Sequence, residues 1–153
     1  MRIGLISDTH DLLREEARHA LAGVDRILHA GDICTPDVLA RLSEIAPVDA
    51  VRGNNDRGAW AQALPETRIV TLQGIRILMV HDLAALGVDP DAEGVAAVVS
   101  GHSHKPQAVR RGEVLYVNPG SAGPRRFRLP ISLGFLTLAG SRIDAELQEL
   151  RIG

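Results

Sequence analysis

The sequence predicts an α/β protein in which two β-sheets pack face to face and helices lie outside them. Between residues 2 and 52, apolar runs of strand length alternate with helical patterns, which is typical of a β-α-β-α-β unit. Between residues 67 and 150, most strand-like runs are instead joined in pairs by short turns, which is typical of antiparallel hairpins. The chain has 153 residues, of which 45% are hydrophobic, so we predict a single domain over residues 1–153.

Three apolar runs predict the strands of the first half, at residues 2–7, 25–30 and 48–52. Two helices connect them. Asp11 predicts the start of the first helix, over residues 12–21, because an aspartate can cap a helix and leucine and alanine recur on one face. A threonine followed by Pro36 predicts the start of the second helix, which Pro47 stops after residue 46.

The second half contains three predicted hairpins. Their strand pairs are residues 67–72 with 75–80, 106–110 with 114–118, and 131–138 with 142–150. A further apolar run predicts a buried strand over residues 95–100. The remaining segments are predicted loops, at residues 55–65, 83–94 and 119–130, and the second of them has room for a short helix.

Composition and charge exclude several classes of protein. The formal net charge is −2, so no electrostatic footprint indicates nucleic acid or a membrane surface as a partner. The one cysteine, Cys34, allows no internal disulfide, no apolar stretch approaches about 18 residues, and the N-terminus lacks the pattern of a signal peptide. We therefore expect a cytoplasmic protein. The final hairpin would leave an exposed edge strand, which allows a homo-oligomer.

Metal-competent side chains follow five of the predicted strands. In an extended backbone, side chains two residues apart point the same way, so His102 and His104 would direct two imidazoles at one point. Asp8 and His10 repeat this spacing after the first strand. In open α/β sheets, ligands bind beyond the carboxyl ends of the strands. The candidate metal ligands are Asp8, His10, Asp32, Asn54, His81, His102 and His104.

Seven nitrogen and oxygen ligands are too many for one tetrahedral zinc ion, and they suit two metal ions that share a bridging carboxylate. Two such ions, about 3.5–4 Å apart, clamp the attacking and leaving oxygens of an in-line displacement at phosphorus, with a bridging hydroxide as the nucleophile. Two divalent cations outweigh the charge of two carboxylates and a hydroxide, which favours a small phosphate ester as substrate. Four imidazoles favour Mn, our first expectation, and also Ni, Fe, Zn or Co over Mg alone.

Five short motifs resemble, in order, those of the calcineurin-like metallophosphoesterases. They are Asp8-Thr9-His10, Gly31-Asp32, Gly53-Asn54-Asn55-Asp56, Val80-His81 and Gly101-His102-Ser103-His104. The segment Asn118-Pro119-Gly120-Ser121, followed by Pro124-Arg125, is similar to the closing segment of the small, single-domain prokaryotic members. The resemblance implies a four-layer sandwich, in which two mixed β-sheets are flanked by helices.

The resemblance also implies a division of the ligands and a function. Asp8, His10, Asp32 and His104 would hold one metal ion, while Asp32 bridges to the second ion, which Asn54, His81 and His102 complete. The implied function is a metal-dependent phosphoesterase, and we favour a phosphodiesterase. Two alternatives stay open: a phosphomonoesterase, and a protein-binding scaffold of the kind found in the retromer sorting coat.

Two residues depart from the pattern of this family. Asn55 stands where the large phosphatases carry a histidine that is the proposed general acid, and an asparagine cannot donate a proton and remain a stable base. We therefore expect activated phosphodiesters to react better than alkyl monoesters. Asp82 stands where many members carry glycine, and it either caps the loop or supports a ligand from behind.

The remaining candidates are weighed against plain structural roles. Asn55 and Asp56 are predicted as catalytic residues. Asp56 would orient Asn54 or the substrate, and the alternative is that it is only a polar residue of a loop. Asn55 and Arg125 are predicted to contact substrate, against a solvated loop for Arg125. His29 and Cys34 are expected to be packed residues with no ligand role.

Overall fold

The computed structural model describes residues 1–126 and 128–152. Two five-stranded sheets make up most of the molecule. The strands in chain order are β1 (Arg2–Ile6), β2 (Arg26–His29), β3 (Val48–Ala50), β4 (Thr67–Leu72), β5 (Ile75–Val80), β6 (Ala97–Val99), β7 (Gln107–Arg111), β8 (Val114–Asn118), β9 (Ser132–Ala139) and β10 (Arg142–Glu149). The helices are α1 (Glu15–Ala20), α2 (Pro36–Ser43) and α3 (Ala59–Gln62), with a 3-10 turn at Leu83–Ala85.

Both sheets are mixed, as predicted. In the first sheet, with the order β10-β9-β1-β2-β3, the strands β1, β2 and β3 are parallel and the final hairpin adds β9 antiparallel to β1. In the second sheet, with the order β4-β5-β6-β8-β7, a parallel core of β5, β6 and β8 has an antiparallel strand at each edge. The last strand, β10, is an edge strand, as expected from the sequence.

The main core lies between the sheets and follows the two-residue period of the strands. Ile3 and Leu5 of β1 pack in one cluster with Ile77 and Met79 of β5, while the alternate residue Leu78 joins a cluster on the other face of the second sheet. The parallel strands are therefore buried on both faces. This double burial explains why they read as uninterrupted apolar runs in the sequence.

The two outer faces are covered differently. Helices α1 and α2 bury Ala17, Val38 and Leu42 against the outer face of the first sheet. On the second sheet, Leu86, next to the 3-10 turn, packs on the outer cluster. The predicted sandwich of two mixed sheets flanked by helices is confirmed, with lighter helical cover over the second sheet. None of the helices within residues 1–126 and 128–152 is long and apolar enough to cross a membrane.

Two predictions about the helices were wrong. Helix α1 begins at Glu15 and not after Asp11, because Asp11 adopts a left-handed backbone (φ 69°) and its carboxylate accepts a hydrogen bond from Thr35 Oγ1 at 3.0 Å. The side chain expected to cap a helix instead ties two loops together. The predicted loop at residues 55–65 contains the short helix α3, from which Trp60 packs against the helical side of the first sheet.

One carboxylate links the edges of the two sheets. Asp49 on β3, only 7% exposed, accepts a hydrogen bond from Arg26 of the neighbouring strand β2. Its other oxygen lies 3.2 Å from a guanidinium nitrogen of Arg68, on β4 of the second sheet. A single charge therefore holds β3 against both neighbours, and β3 leads into the loop that carries Asn54.

We expect Asp49→Asn to lower the free energy of unfolding by about 1–3 kcal/mol, because two guanidinium groups lose their charged acceptor. Urea unfolding of chelator-treated protein measures this change. Asp144→Asn is the matched control: Asp144 forms an exposed pair with Arg142, and its loss should change stability by less than about 0.5 kcal/mol. Equal effects of the two variants would contradict the linking role of Asp49.

Candidate metal centre

The predicted ligands meet where strand ends of both sheets converge. Asp8 follows β1 and Asp32 follows β2 in the first sheet, while His81 follows β5 and His104 lies beyond β6 in the second. Asp8 Oδ1 is 3.3 Å from His104 Nε2 and 3.8 Å from the Nε2 atoms of His10 and His81. Residues almost one hundred positions apart in the chain therefore surround one oxygen atom.

These side chains form two overlapping groups. Asp8, His10 and His104 make one set of converging ligand atoms, and Asp8, Asp32 and His81 make the other. Asp32 Oδ2 lies between the groups, 3.6 Å from His10 Nε2 and 3.3 Å from His81 Nε2. Both carboxylates thus stand where the two groups meet.

The second group extends toward solvent through Asn54 and His102. His102 Nδ1 is 3.2 Å from Asn54 Oδ1, and the His102 ring meets the His81 ring edge-on with a 5.2 Å separation of centroids. A cavity of about 220 Å³ opens here, lined in part by Asn54, His81 and His102. The seven predicted residues are therefore contiguous, with one end of the set buried and the other open.

The extended backbone expected for His102 and His104 was wrong. Both residues have left-handed backbones, with φ of 72° and 63°, and Asp8, His10 and Asp32 share this conformation. Such angles are uncommon for residues other than glycine and persist only where the surroundings enforce them. The two histidines reach the centre through turns, and they serve different sides of it.

Asp56 helps to hold these loops in their left-handed conformations. Its carboxylate is 5% exposed and accepts hydrogen bonds from four backbone N–H groups at 2.8–3.0 Å. The donors belong to Asp32, Ile33, Cys34 and Gly53. Asp56 therefore fastens the loop after β2 to the loop after β3, and its buried oxygens face backbone and not the open site.

Close approach of the loops requires glycine at two positions. A Cβ on Gly101 would overlap Ser7 Oγ and come within 2.6 Å of Asp8 Oδ2. A Cβ on Gly53 would overlap the backbone nitrogen and carboxylate of Asp32. The Gly-His and Gly-Asn pairs of the motifs thus have a steric cause.

The Asp8 carboxylate is oriented by its neighbours. Its Oδ2 accepts hydrogen bonds from Ser7 Oγ (2.7 Å) and from the backbone N–H of His102 (3.0 Å). Burial by itself would raise the pKa of Asp8, but the contacts with His10, His104 and Ser7 outweigh it and hold the pKa well below its ordinary value. The group stays ionised, with Oδ1 directed at the imidazoles.

His81 shows that a cation fits between these groups. Its Nδ1–H donates to the Ala30 carbonyl at 2.7 Å, so in the neutral ring the Nε2 lone pair faces the oxygens of Asp32 and Asp8. Burial acts to lower the pKa of His81, yet these carboxylates outweigh burial and raise it. Within residues 1–126 and 128–152, the buried atoms Asp8 Oδ1, His10 Nε2 and His81 Nε2 have no hydrogen-bond partner. Ionised oxygens and imidazole lone pairs aimed at one space are the donor set of a divalent metal ion.

The other predicted site residues lie in different settings. Asn55 donates from its backbone to Asp32 Oδ1 and from its side chain to Asp32 Oδ2, each at 2.9 Å. Burial acts to raise the pKa of Asp32, but the contact with His81 and the hydrogen bonds from Asn55 outweigh it and lower the pKa to about 2. Arg125 is exposed. Its loop runs along the site, because a Cβ on Gly123 would overlap the Thr9 carbonyl.

Sequence reasoning placed His29 in the packed interior, and its hydrogen bonds confirm this. Its Nδ1 accepts from the Gly31 backbone N–H at 3.1 Å, and its Nε2 lies 3.1 Å from Thr9 Oγ1, which donates to the Ile33 carbonyl. Because Nδ1 must accept, the ring is neutral, and complete burial lowers the pKa of His29 to about 3. What the sequence did not reveal is that His29 connects the loops of both carboxylate motifs.

Cys34 lies beside the candidate centre and is half-buried. Its sulfur is 3.7 Å from His10 Nδ1. Burial and then the charge of Asp56 raise the pKa of the thiol to about 11. The raised pKa disfavours the reactive thiolate near neutral pH.

Comparisons with known proteins agree with this geometry. Residues 1–141 match the calcineurin-like phosphoesterase superfamily domain. A probable metallophosphoesterase of Methanothermobacter thermautotrophicus is 33% identical over 96% of this chain and 91% of its own length. The phosphodiesterase YfcE of Escherichia coli is 33% identical over 65% of this chain and 58% of its own length, and its structure superposes with a TM-score of 0.69 over 90% of this chain and 88% of that one.

A more distant likeness concerns the fold alone. Vps29 of Entamoeba histolytica, determined as a complex with zinc, has a TM-score of 0.74 and 22% identity, and the match covers 97% of this chain and 99% of that one.

We expect Asp56→Asn to lower the free energy of unfolding by about 2–5 kcal/mol, because an amide nitrogen would face backbone N–H groups that lose their acceptor. Denaturant unfolding in chelator measures this loss independently of any metal. The exposed Asp91 provides the control Asp91→Asn, which should stay close to the parent protein. Parent-like stability of Asp56→Asn would rule out the fastening role.

We expect His29 to make the stability of metal-free protein fall with decreasing pH. Because the pKa of His29 is about 3 in the folded protein and about 6.5 in the unfolded chain, the unfolded chain takes up a proton first as the pH falls. The contribution of His29 is complete above about pH 6.5 and is lost toward pH 3, at up to about 1.4 kcal/mol per pH unit.

The control for this effect is His29→Gln, which cannot titrate. Between pH 7 and pH 5, the stability advantage of the parent protein over this variant should shrink by about 2 kcal/mol. Urea unfolding of both proteins at the two pH values measures the difference. An advantage that stays constant would show that His29 takes up a proton as readily in the folded protein as in the unfolded chain.

Proposed function

The chain belongs to the calcineurin-like phosphoesterase superfamily, and we propose that it is a metal-dependent phosphodiesterase that hydrolyses small phosphate esters. The observation that carries the proposal is the convergence of Asp8 Oδ1, His10 Nε2 and His81 Nε2, three buried atoms without hydrogen-bond partners in the described part of the chain. A metal ion is the ligand that such a donor set suits. The related Escherichia coli protein YfcE is a phosphodiesterase, which supports the ester class.

Two divalent ions per chain are proposed. Asp8, His10, Asp32 and His104 would hold one ion, and Asp32 would be shared with Asn54, His81 and His102 around the other. The position of Asp32 Oδ2 between His10 and His81 supports the shared role. Manganese is the first choice, with Ni, Fe, Zn, Co or Mg as alternatives. When bound, such a pair supplies a hydroxide nucleophile near neutral pH and neutralises the charge that develops on an in-line transferring phosphoryl group.

The residues of the chain provide the remaining functions. The cavity beside Asn54, His81 and His102 gives a phosphate ester access to the open end of the set. Asp8 and Asp32 remain ionised because their pKa values lie below the ordinary range, so the site is ready to bind cations at neutral pH. Arg125, exposed near the site, is proposed to contact the phosphate.

Asn55 accounts for the proposed preference for esters with good leaving groups. Its side-chain amide donates to Asp32 Oδ2, so it positions the carboxylate that the two ions would share. An amide cannot protonate a leaving alkoxide. Efficient turnover is therefore limited to esters whose leaving group departs without an acid, such as aryl phosphodiesters that release a phenolate. Asp56, with its oxygens occupied by backbone N–H groups, is proposed to position Asp32 and not to touch substrate.

The test begins with chelator-treated protein, to which Mn, Ni, Zn or Mg is added back. We expect metal to restore hydrolysis of bis-p-nitrophenyl phosphate and, more slowly, of p-nitrophenyl phosphate, as a phosphodiesterase requires. Both esters release p-nitrophenolate, so the missing general acid is tested with an alkyl ester: glycerol 2-phosphate should react at least about 10-fold more slowly than p-nitrophenyl phosphate, because its alkoxide needs a proton. Asp32→Asn should lose about 100-fold or more of this activity, since the shared carboxylate is gone. Asp37→Asn, which alters an exposed aspartate five residues away, is the control and should keep full activity.

Other outcomes would select the alternatives. A preference for the monoester would retain the enzyme and replace the phosphodiesterase by a phosphomonoesterase. Protein that binds two ions yet hydrolyses neither ester with any metal would favour the scaffold. In that case, replacing His102 and His104 by alanine should leave the interaction with a partner protein intact.

A further inference from the structure

Asp82 lies beside the open end of the metal centre, directly after His81. Its side chain is 41% exposed, and it shares the wall of the 220 Å³ cavity with Asn54 and His102. Its two oxygens have different surroundings. Oδ1 accepts a hydrogen bond from the backbone N–H of Ala84 at 3.0 Å and so caps the 3-10 turn. Oδ2 is directed at the imidazole of His102, 3.8 Å from Nε2.

The two ring nitrogens of His102 therefore face different groups. Nδ1 is 3.2 Å from Asn54 Oδ1, on the side of the centre, and Nε2 faces the Asp82 carboxylate, on the side away from it. A neutral imidazole carries one proton, and the nitrogen that lacks it is the one that binds metal. His102 can serve the centre through Nδ1 only if the proton resides on Nε2.

In the neighbouring histidine, His81, a backbone carbonyl fixes the position of the ring proton. Its Nδ1–H donates to the Ala30 carbonyl, which leaves Nε2 free for the centre. His102 differs, because Asn54 Oδ1 lies 3.2 Å from Nδ1 and accepts from it when the proton is there. Without a competing group at Nε2, Asn54 would therefore favour the proton position that blocks metal binding. A carboxylate beside Nε2 favours the proton on that nitrogen, because it accepts from N–H and repels a lone pair.

We propose that Asp82 is a positioning residue for His102: the negative charge of its Oδ2, 3.8 Å from Nε2, keeps the proton on that nitrogen. Nδ1 is then presented together with Asn54 Oδ1 to the second metal ion. This inference rests on the metal centre of the proposed function and adds to it a carboxylate that orients one of the metal-binding histidines. Oδ1 of Asp82 caps the 3-10 turn and Oδ2 faces His102, so one aspartate performs both tasks.

The test is calorimetric titration of the chelator-treated full chain with MnCl₂. The parent protein should bind two ions. In Asp82→Asn, one site should be unchanged and the other weakened by about 10- to 100-fold. This substitution separates the two roles of Asp82. The asparagine oxygen can still accept from Ala84, while its NH₂ group would face Nε2 and favour the proton on Nδ1 of His102. Thermal unfolding in chelator should therefore be unchanged.

The matched control is Asp89→Asn. Asp89 is an exposed aspartate of the same loop whose Oδ1 accepts from the backbone N–H of Asp91, so this variant makes the same change of charge without touching His102. Its Mn²⁺ affinities should equal those of the parent. Similar losses in Asp82→Asn and Asp89→Asn would mean that loop charge alone attracts the cation, which would overturn the proposal.

A double-mutant cycle separates positioning from direct binding. His102→Ala should weaken the same site, and adding Asp82→Asn to it should produce less than about a 2-fold further loss, because the aspartate acts through the histidine. A further loss as large as in the parent background would make Asp82 a ligand or a general charge and overturn the proposal. Parent-like binding by Asp82→Asn, or binding of one ion by the parent, would also overturn it. Two bound ions without ester hydrolysis would instead refute the proposed function alone.

Discussion

The buried carboxylate of Asp8 is the interaction on which the rest of the site depends. An ionised group without solvent exposure is costly unless hydrogen bonds and opposite charge compensate it. Ser7 and the backbone of His102 satisfy one oxygen, and in doing so they join the end of β1 in one sheet to the loop after β6 in the other. The second oxygen is left for the imidazoles. Because these groups compensate the charge of Asp8, they couple the packing of the two sheets to the assembly of the candidate metal centre.

A shell of hydrogen bonds holds the strained loops in place around this charge. Asp56 collects four backbone N–H groups, His29 joins the Thr9 and Gly31 turns, and Asn55 grips both oxygens of Asp32. Left-handed backbones at the proposed ligands are tolerated because these bonds are buried and numerous. The proposed enzyme thus concentrates unfavourable local geometry at the one place where ligand atoms must be fixed before a metal ion binds.

The proposed metal ligands could be predicted from the sequence because each lies near the end of an apolar run. Buried parallel strands are apolar on both faces, so an aspartate or histidine directly after such a run is conspicuous, and the carboxyl ends of parallel strands share one edge. The same reasoning failed for Asp11, which was expected to cap a helix and instead accepts a hydrogen bond from Thr35. It also did not reveal that Asp56 accepts from backbone N–H groups of two loops.

The succession of strands and helices along the chain, the sandwich of two sheets and the set of proposed ligands could be predicted from the sequence alone. They follow from local periodicity, from where each apolar run stops and from the resemblance of the five motifs. Only the tertiary structure decided which atom of each ligand faces the centre. That choice depends on partners distant in the chain, such as Ala30 for His81 and His102 for Asp8. It also depends on left-handed turns that no two-residue spacing reveals. Hydrogen bonds between loops set these orientations, and such bonds exist only after both sheets have packed.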